Sequence, residues 1–416
     1  MLPPVQMAPD GSRIPYELFS SEAVYRLEQE RIFRGPTWNF LGLEAEIPNA
    51  CDFKATFVGD TPVVMTRTAE GELAAWVNRC AHRGAQVCRL ARGNAASHSC
   101  VYHQWSYDPA GNLEGVPFRK GHKGMSGMPK AFSLQDHGLQ KLRVESYRGL
   151  VFATFDFELE PLADYIGAEM LPFVDRIFHK PIEYLGCTRQ FSRSNWKLYL
   201  ENVKDPYHAS LLHLFHTTFN IFRVGMRAEL AVDERHGLHS AVLAISDKDA
   251  GAEAYKAQRL RSYDEEFGLE DPSILDLVEE YELVATNHIQ PIFPQLVIQQ
   301  IHNTLVARQL LPKGPDSFEL IFHYFGYADD SPALRALRIK QANLVGPAGY
   351  ISMEDTEATE LVQRGTIEAH ARGSIIEMAL EAPSERNTLI SEELIRRFWR
   401  GYARLMRLEG LSGAAA

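Results

Sequence analysis

Apolar and polar positions change rhythm once along the chain. Ser21 to Arg34 carries Val24, Leu27 and Ile32 on a mostly apolar face, which predicts a helix that Gly35-Pro36 stops. From about 39 to 155 the pattern is that of short strands punctuated by Gly and Pro. "FKATF", "TPVVMTR" and "LAAWVN" are short strand-like runs, the last two joined across Glu70-Gly71, and "KLRVESY" and "GLVFATF" flank Arg148-Gly149 as a hairpin would. After about 156 helical periodicity appears near 158–177, 195–213, 331–345, 353–364 and 391–408. Between these lie strand patterns: "SAVLAI", "QLVIQQIHN", "LVARQLL" and "FELIFHYFGY". Several are long enough for a curved antiparallel sheet packed on helices, so an α+β class is expected. The texture shifts near Phe155–Leu162 without a flexible linker. The expected organisation is an N-terminal helical segment, 1–38, packing on the C-terminal domain, then an all-β domain, 39–155, and an α+β domain, 156–416.

A length of 416 residues fits two domains, and 45% apolar with 23% charged residues is a globular composition. The net charge of −11 argues against nucleic acid or an anionic membrane as a general partner. No window approaches the ~18 uninterrupted apolar residues of a membrane span. The start "MLPPVQMAPDGSR" has no signal-type apolar run, which points to the cytoplasm. Five scattered cysteines make no disulfide framework.

The chemistry concentrates in "RCAHRGAQVCRLARGNAASHSCVYHQW". Cys80 and His82 are one residue apart, Cys100 and His103 two apart. Two thiolates and two imidazoles suit tetrahedral zinc, and equally an iron–sulfur cluster in which imidazoles replace two thiolates on one iron. Each loop supplies one ligand of each kind, and Gly84 would let the backbone approach inorganic sulfide. A second centre is suggested in "NWKLYLENVKDPYHASLLH". His208 and His213 lie about 140° apart on a regular helix, so they share one metal only if the helix ends between them. Asp205-Pro206 offers a break, as an N-cap followed by Pro at the first helical position. Alone, two such histidines would more often be packed in a core. For a carboxylate the segment "GPAGYISMEDTEATELV" offers Asp355 and Glu354, although Ser352 to Asp355 also reads as a capping box.

"CAHRG…CVYHQW", "ENVKDPYHASLLH" and "GPAGYISMED" together resemble the large (alpha) subunits of Rieske non-haem iron aromatic-ring-hydroxylating oxygenases, of the anthranilate, salicylate and terephthalate group. The resemblance spans nearly the whole chain. It implies an all-β Rieske domain and a helix-grip-like catalytic domain. It implies a [2Fe–2S] cluster with Cys80 and Cys100 on one iron and His82 and His103 on the other, followed by the motif's Trp105. It implies mononuclear Fe(II) on His208, His213 and Asp355. Asp205 matches the family's carboxylate between the two kinds of centre, which in that family bridges neighbouring subunits.

The function so implied is hydroxylation of an aromatic ring with O2 by a terminal oxygenase. Without GxGxxG or a further cysteine set, the chain needs electrons from a separate NAD(P)H-dependent reductase, with a ferredoxin where the system has one. A homotrimer of large subunits, with or without a small β subunit, is the expected assembly. A benzoate-type substrate needs a cation. Arg308, in the apolar strand pattern "LVARQLL", and Arg396, in "ELIRRFW", are the candidates, with an internal salt bridge as the bland alternative for each. Phe219, Phe222 and Ile289 are candidate apolar lining. Mono- and dioxygenation both remain open, and two rival readings stand beside ring attack: O- or N-demethylation on the same metals, and a zinc-stabilised protein without redox chemistry.

Overall fold

A computed structural model describes residues 7–247, 250–369, 372–381 and 388–408. Two compact units emerge: Phe33–Leu162, and the chain up to Ile32 together with that from Ala163 onward.

In the Phe33–Leu162 unit, seven antiparallel strands form one sheet in the order Asn39–Leu43, Leu150–Thr154, Lys141–Tyr147, Leu73–Val77, Thr61–Arg67, Asp52–Val58, Arg92–Asn94. Arg148 and Gly149 turn the central hairpin with φ of 52° and 85°, the left-handed pair that a two-residue connection demands. A small three-stranded sheet, His98–Ser99, Ser106–Tyr107 and Leu113–Gly115, lies beside it. Phe53, Val64, Trp76, Tyr107 and Leu139 form the core, which also encloses Cys80 and Cys100.

The other unit is built on a second seven-stranded antiparallel sheet, ordered Ile182–Ser192, Ser317–Tyr327, Thr304–Gly314, Leu296–Ile301, Ala285–Ile292, Ser240–Ile245, Ala228–Val232. Leu296–Ile301 is buried throughout, as is Thr304–Gly314 up to Pro312, so these strands need apolar residues on both faces. Helices Trp196–Val203, Pro332–Val345, Ser352–Thr366 and Glu393–Met406 accompany the sheet. Three of its strands, Ile182–Ser192, Ala228–Val232 and Ala285–Ile292, do not announce themselves in the sequence pattern.

The N-terminal segment belongs to this second unit. Ser21 caps the helix Glu22–Glu28 by accepting from Val24 N, and a π turn, Gln29–Phe33, follows. Glu28 is fully buried. Its carboxylate accepts from Lys197 Nζ at 2.6 Å, Tyr402 OH at 2.6 Å and Trp196 Nε1 at 2.9 Å. A charge in such a place is tolerable because an ammonium and two further donors surround it. Glu28→Ala would strand the Lys197 ammonium. The expected cost is about 3–5 kcal/mol, which for a unit of this size lowers the melting midpoint by roughly 10 °C. A melt of Glu28→Ala overlaying that of the parent would show that the pair contributes nothing.

Candidate metal centres

The two loops carrying the Cys/His pairs share one backbone design. Cys80 N donates to Ala85 O at 2.8 Å and Gly84 N to Cys80 O at 2.9 Å; Cys100 N donates to Trp105 O at 2.9 Å and Gln104 N to Cys100 O at 2.9 Å. The fifth residue of each loop is left-handed, Gly84 at φ 78° and Gln104 at φ 57°. A Cβ on Gly84 would meet only Arg79, at 3.9 Å, so there glycine supplies the backbone angle and not the space. The second loop spans the paired strands His98–Ser99 and Ser106–Tyr107.

Both cysteines are buried, whereas His82 is exposed and His103 half-buried. The imidazole rings stand 4.6 Å apart, and His82 stacks on Trp105 at 4.7 Å with planes 5° from parallel. Tyr107 OH lies 3.2 Å from Cys80 Sγ and accepts from Ala81 N at 3.1 Å. Asn78 holds the first loop's exit, accepting from Val87 N and Cys88 N and donating to Cys88 O.

Buried thiols on one side and a histidine pair on the other fit a two-iron cluster with thiolates on the inner iron and imidazoles on the outer.

Among the described residues, His208, His213 and Asp355 bring three donor atoms within 4.8 Å of each other. The chain achieves this by the break that the five-residue spacing requires. Asp205 caps the helix Pro206–Leu212, accepting from Tyr207 N at 2.9 Å, and the helix stops at His213, whose ψ of 101° is extended. Asp355 arrives from the first turn of Ser352–Thr366. The capping-box reading of Ser352 is overturned: Ser352 is already helical, and its hydroxyl donates to Val345 O.

His208 Nε2 and His213 Nε2 face Asp355 Oδ1 at 3.4 and 3.1 Å. Their other nitrogens face other carboxylates, His208 Nδ1 toward Asp205 at 3.5 Å and His213 Nδ1 toward Glu354 at 2.9 Å. Glu354 thus sits behind His213, where a carboxylate orients a ligand, and not in front of it. Burial disfavours charge on His208, yet the Asp205 and Asp355 carboxylates outweigh it and push the imidazole up to about 10. Burial likewise opposes ionisation of Asp355, and His213 and His208 overcome it, holding the carboxyl well below its usual range. Such a trio favours positive charge at its centre, the electrostatics that two His and one carboxylate offer iron(II).

These residues line a pocket. Phe222, Ile289 and Arg308 line it; Phe219 is not among the lining residues and packs with tilted rings against Phe215 and Phe267. Arg308 is 1% exposed; it donates to Tyr199 OH at 2.6 Å and to Ser352 Oγ at 3.5 Å and lies over the Phe322 ring, and among the described residues no carboxylate pairs with it. Arg396 is elsewhere: its guanidinium meets the carbonyls of Ile376, Met378 and Ala379 and the Glu393 carboxylate, an internal anchor that leaves none of it for a ligand.

Four residues not singled out from the sequence, Asn202, His216, Asn287 and Gln299, also line the pocket. Asn202 Nδ2 donates to Asp355 Oδ1 at 3.0 Å and lies 3.2 Å from His208 Nε2. Burial, with His213 beside it, holds His216 well below its usual value, so it is neutral. Only Asn202 carried a signal, its place within the segment "ENVKDPYHASLLH".

Comparisons with known proteins agree with this geometry. Residues 37–137 match the Rieske [2Fe-2S] domain, and 182–408 the ring hydroxylating alpha subunit (catalytic domain). The chain is 73% identical to the anthranilate 1,2-dioxygenase large subunit of Burkholderia cepacia, over 95% of this chain and 94% of that one. It is 46% identical to the terephthalate 1,2-dioxygenase terminal oxygenase subunit alpha 2 of Comamonas sp, over 96% of each. Identity to the salicylate 5-hydroxylase large oxygenase component of Ralstonia sp is 39%, over 94% of each. In fold it is similar to naphthalene 1,2-dioxygenase from Rhodococcus sp., with a TM-score of 0.79, 22% identity and coverage of 97% of this chain and 95% of that one.

Proposed function

Since this chain belongs to the large (alpha) subunits of Rieske non-haem iron ring-hydroxylating oxygenases, we propose that its pocket takes a benzoate-type carboxylate, held by Arg308, for dioxygenation of the ring. The protein is a terminal oxygenase, an oxidoreductase that uses O2 and electrons from a separate reductase. Its catalytic domain carries a curved antiparallel sheet. When bound, the Rieske cluster supplies electrons singly and the mononuclear iron supplies oxygen activation.

The protein's own residues do the rest. Cys80, His82, Cys100 and His103 are assigned to the cluster, and His208, His213 and Asp355 to the iron. Glu354 and Asp205 fix the imidazole orientations from behind. Val242, Ile289 and Phe222 keep water from one side of the ring. Asp205 is assigned the link to a Rieske histidine of a neighbouring large subunit, in a homotrimer with or without a small β subunit. Its carboxylate is partly exposed, as such a contact requires. We assign residues 39–155 to electron transfer, and 1–38 with 156–416 to the reaction. Five free cysteines, and no described helix long and apolar enough to cross a membrane, favour work in the reducing cytoplasm.

The observation that carries the substrate reading is the buried Arg308 guanidinium beside the iron ligands, without an acid among the described residues to neutralise it. Buried charge is costly alone, and a bidentate carboxylate is its natural complement. Arg308→Ala is expected to raise KM for an aromatic acid by roughly 30-fold or more, as for truncation of one partner of a buried pair, while that for the neutral amide changes little. Equal effects on acid and amide would count against the assignment. A demethylase would release formaldehyde, and its appearance with methoxy- or methylaminobenzoates in place of ring-hydroxylated product would favour that rival.

A further inference from the structure

Between Glu114 and Asp136 the chain carries Arg119, Lys120, Lys123 and Lys130, with His122, and no acidic residue, although the whole protein has a net charge of −11. None of the four cations has a side-chain partner among the described residues, and the three lysines are exposed. Two large apolar side chains stand on the same loop, Phe118 at 75% and Met125 at 67% exposure. An exposed aromatic and a methionine among unpaired charges have the anatomy of an interaction patch, apolar anchors within a polar rim.

The loop is braced. Gly121 N donates to Phe118 O at 2.8 Å, and His122 and Met125 exchange backbone hydrogen bonds at 3.0 Å each. Met128 N donates to Arg119 O at 2.9 Å and closes the base. Gly127 has a φ of 105°, and a Cβ there would meet Gly121 N at 2.6 Å, so the close pass of the two arms requires glycine. Both arms end on the hydrophobic core that encloses Cys80, Cys100 and Trp105: Val116 packs on it from one side, Met128 and Phe132 from the other. Phe132 meets the Trp105 ring edge-on at 5.8 Å, and Trp105 stacks on His82. Two ring contacts therefore join the base of the loop to an imidazole assigned to the outer iron.

We propose that the loop 116–130 is the docking site of the electron donor, and that the donor is an acidic protein. A terminal oxygenase takes its electrons from a separate protein. Each encounter passes one electron, the donor being oxidised and the cluster reduced. An acidic donor is repelled by the overall charge of this chain and attracted at this loop, so the field steers it to the side where the cluster loops are packed. Electron-transfer encounters bury small interfaces, within the reach of one braced loop. The inference rests on the assignment of the cluster to the two Cys/His loops.

Calorimetric titration of the oxidised holoenzyme with the oxidised ferredoxin or reductase that sustains its turnover tests docking without electron transfer. Affinity should fall steeply from low to high salt. Lys120→Glu with Lys123→Glu should weaken binding by about tenfold or more at low salt and by much less at high salt. Lys120→Gln with Lys123→Gln should fall between that pair and the parent, and Phe118→Ser should cost about tenfold at either salt. All variants should keep the parent's visible spectrum and bleach fully with dithionite. Unchanged affinity in the charge-reversed pair, affinity that rises with salt, or a donor of net positive charge overturns the proposal and leaves the cluster assignment standing. A parent without the spectrum of a [2Fe–2S] cluster overturns both. Weaker binding accompanied by dissociation of the assembly in sedimentation velocity overturns it in favour of a second copy of this chain on the loop. If the reversed pair does not fold, the salt dependence of the parent and the glutamine pair decide.

Discussion

Asp355→Ala is expected to give a red-brown protein that no longer hydroxylates its substrate. The two Nε2 atoms of His208 and His213 look onto one oxygen of Asp355, and among the described residues Glu354 is behind His213, not on that side. Alanine leaves two neutral imidazoles and no anionic ligand. Loss of groups that only orient a ligand already costs 10–100-fold in metal affinity or activity, so loss of the ligand itself should cost roughly a thousandfold or more. The ratio of iron to acid-labile sulfide should fall from about three to two toward one to one, since the cluster carries equal numbers of each. The cluster's visible spectrum should be unchanged. Retention of the third iron and of turnover would transfer the role to another oxygen ligand, with Glu354 the first to test.

Asp205→Asn should produce a different failure: iron retained, cluster retained, coupling lost. The Asp205 side chain has two tasks. One oxygen caps the helix Pro206–Leu212 through Tyr207 N, and asparagine performs that task about as well. The other lies 3.5 Å from His208 Nδ1, and there asparagine brings no negative charge. The helix should therefore survive while the electrostatic link weakens. After reduction by the partner reductase, the bleached cluster should stay bleached when substrate and oxygen are added, with turnover down by about 10–100-fold. Metal analysis should still return the parent iron content. Turnover at the parent rate would reduce Asp205 to a cap.

The legibility of the chain follows the kind of evidence each residue provides. The strands "FKATF", "TPVVMTR", "KLRVESY" and "SAVLAI" were readable because their apolar residues alternate or cluster within a few positions. Ile182–Ser192 was not: it is an edge strand, half-exposed along much of its length and bulged between Tyr184 and Gly186. Ala285–Ile292 escaped for the opposite reason. It is almost entirely buried, yet reads as polar because Asn287, His288 and Gln290 are inside. At the site, His208, His213, Asp205 and Asp355 were visible because their meaning is local, in a motif or at a cap. Asn287 and Gln299 acquire theirs only where strands meet. Arg396 shows the converse: an arginine on an apolar helix is compatible with a ligand site, and only its carbonyl partners reveal an anchor.

The burial of Glu28 also sets an order on the making of the protein. Glu28 is translated early, but one of its partners, Tyr402, lies 374 residues downstream. At ribosomal speeds of 5–20 residues per second the carboxylate waits roughly 20–75 s for that hydroxyl. Meanwhile the intervening unit, Phe33–Leu162, has been synthesised whole, and every strand of its sheet is present. The electron-carrying part can therefore fold on the ribosome, while the oxygen-handling part cannot close until its last helix, Glu393–Met406, has emerged. A nascent chain stalled before Tyr402 would hold a finished Rieske unit tethered to an unfinished enzyme, with no closed iron pocket in which oxygen could be activated.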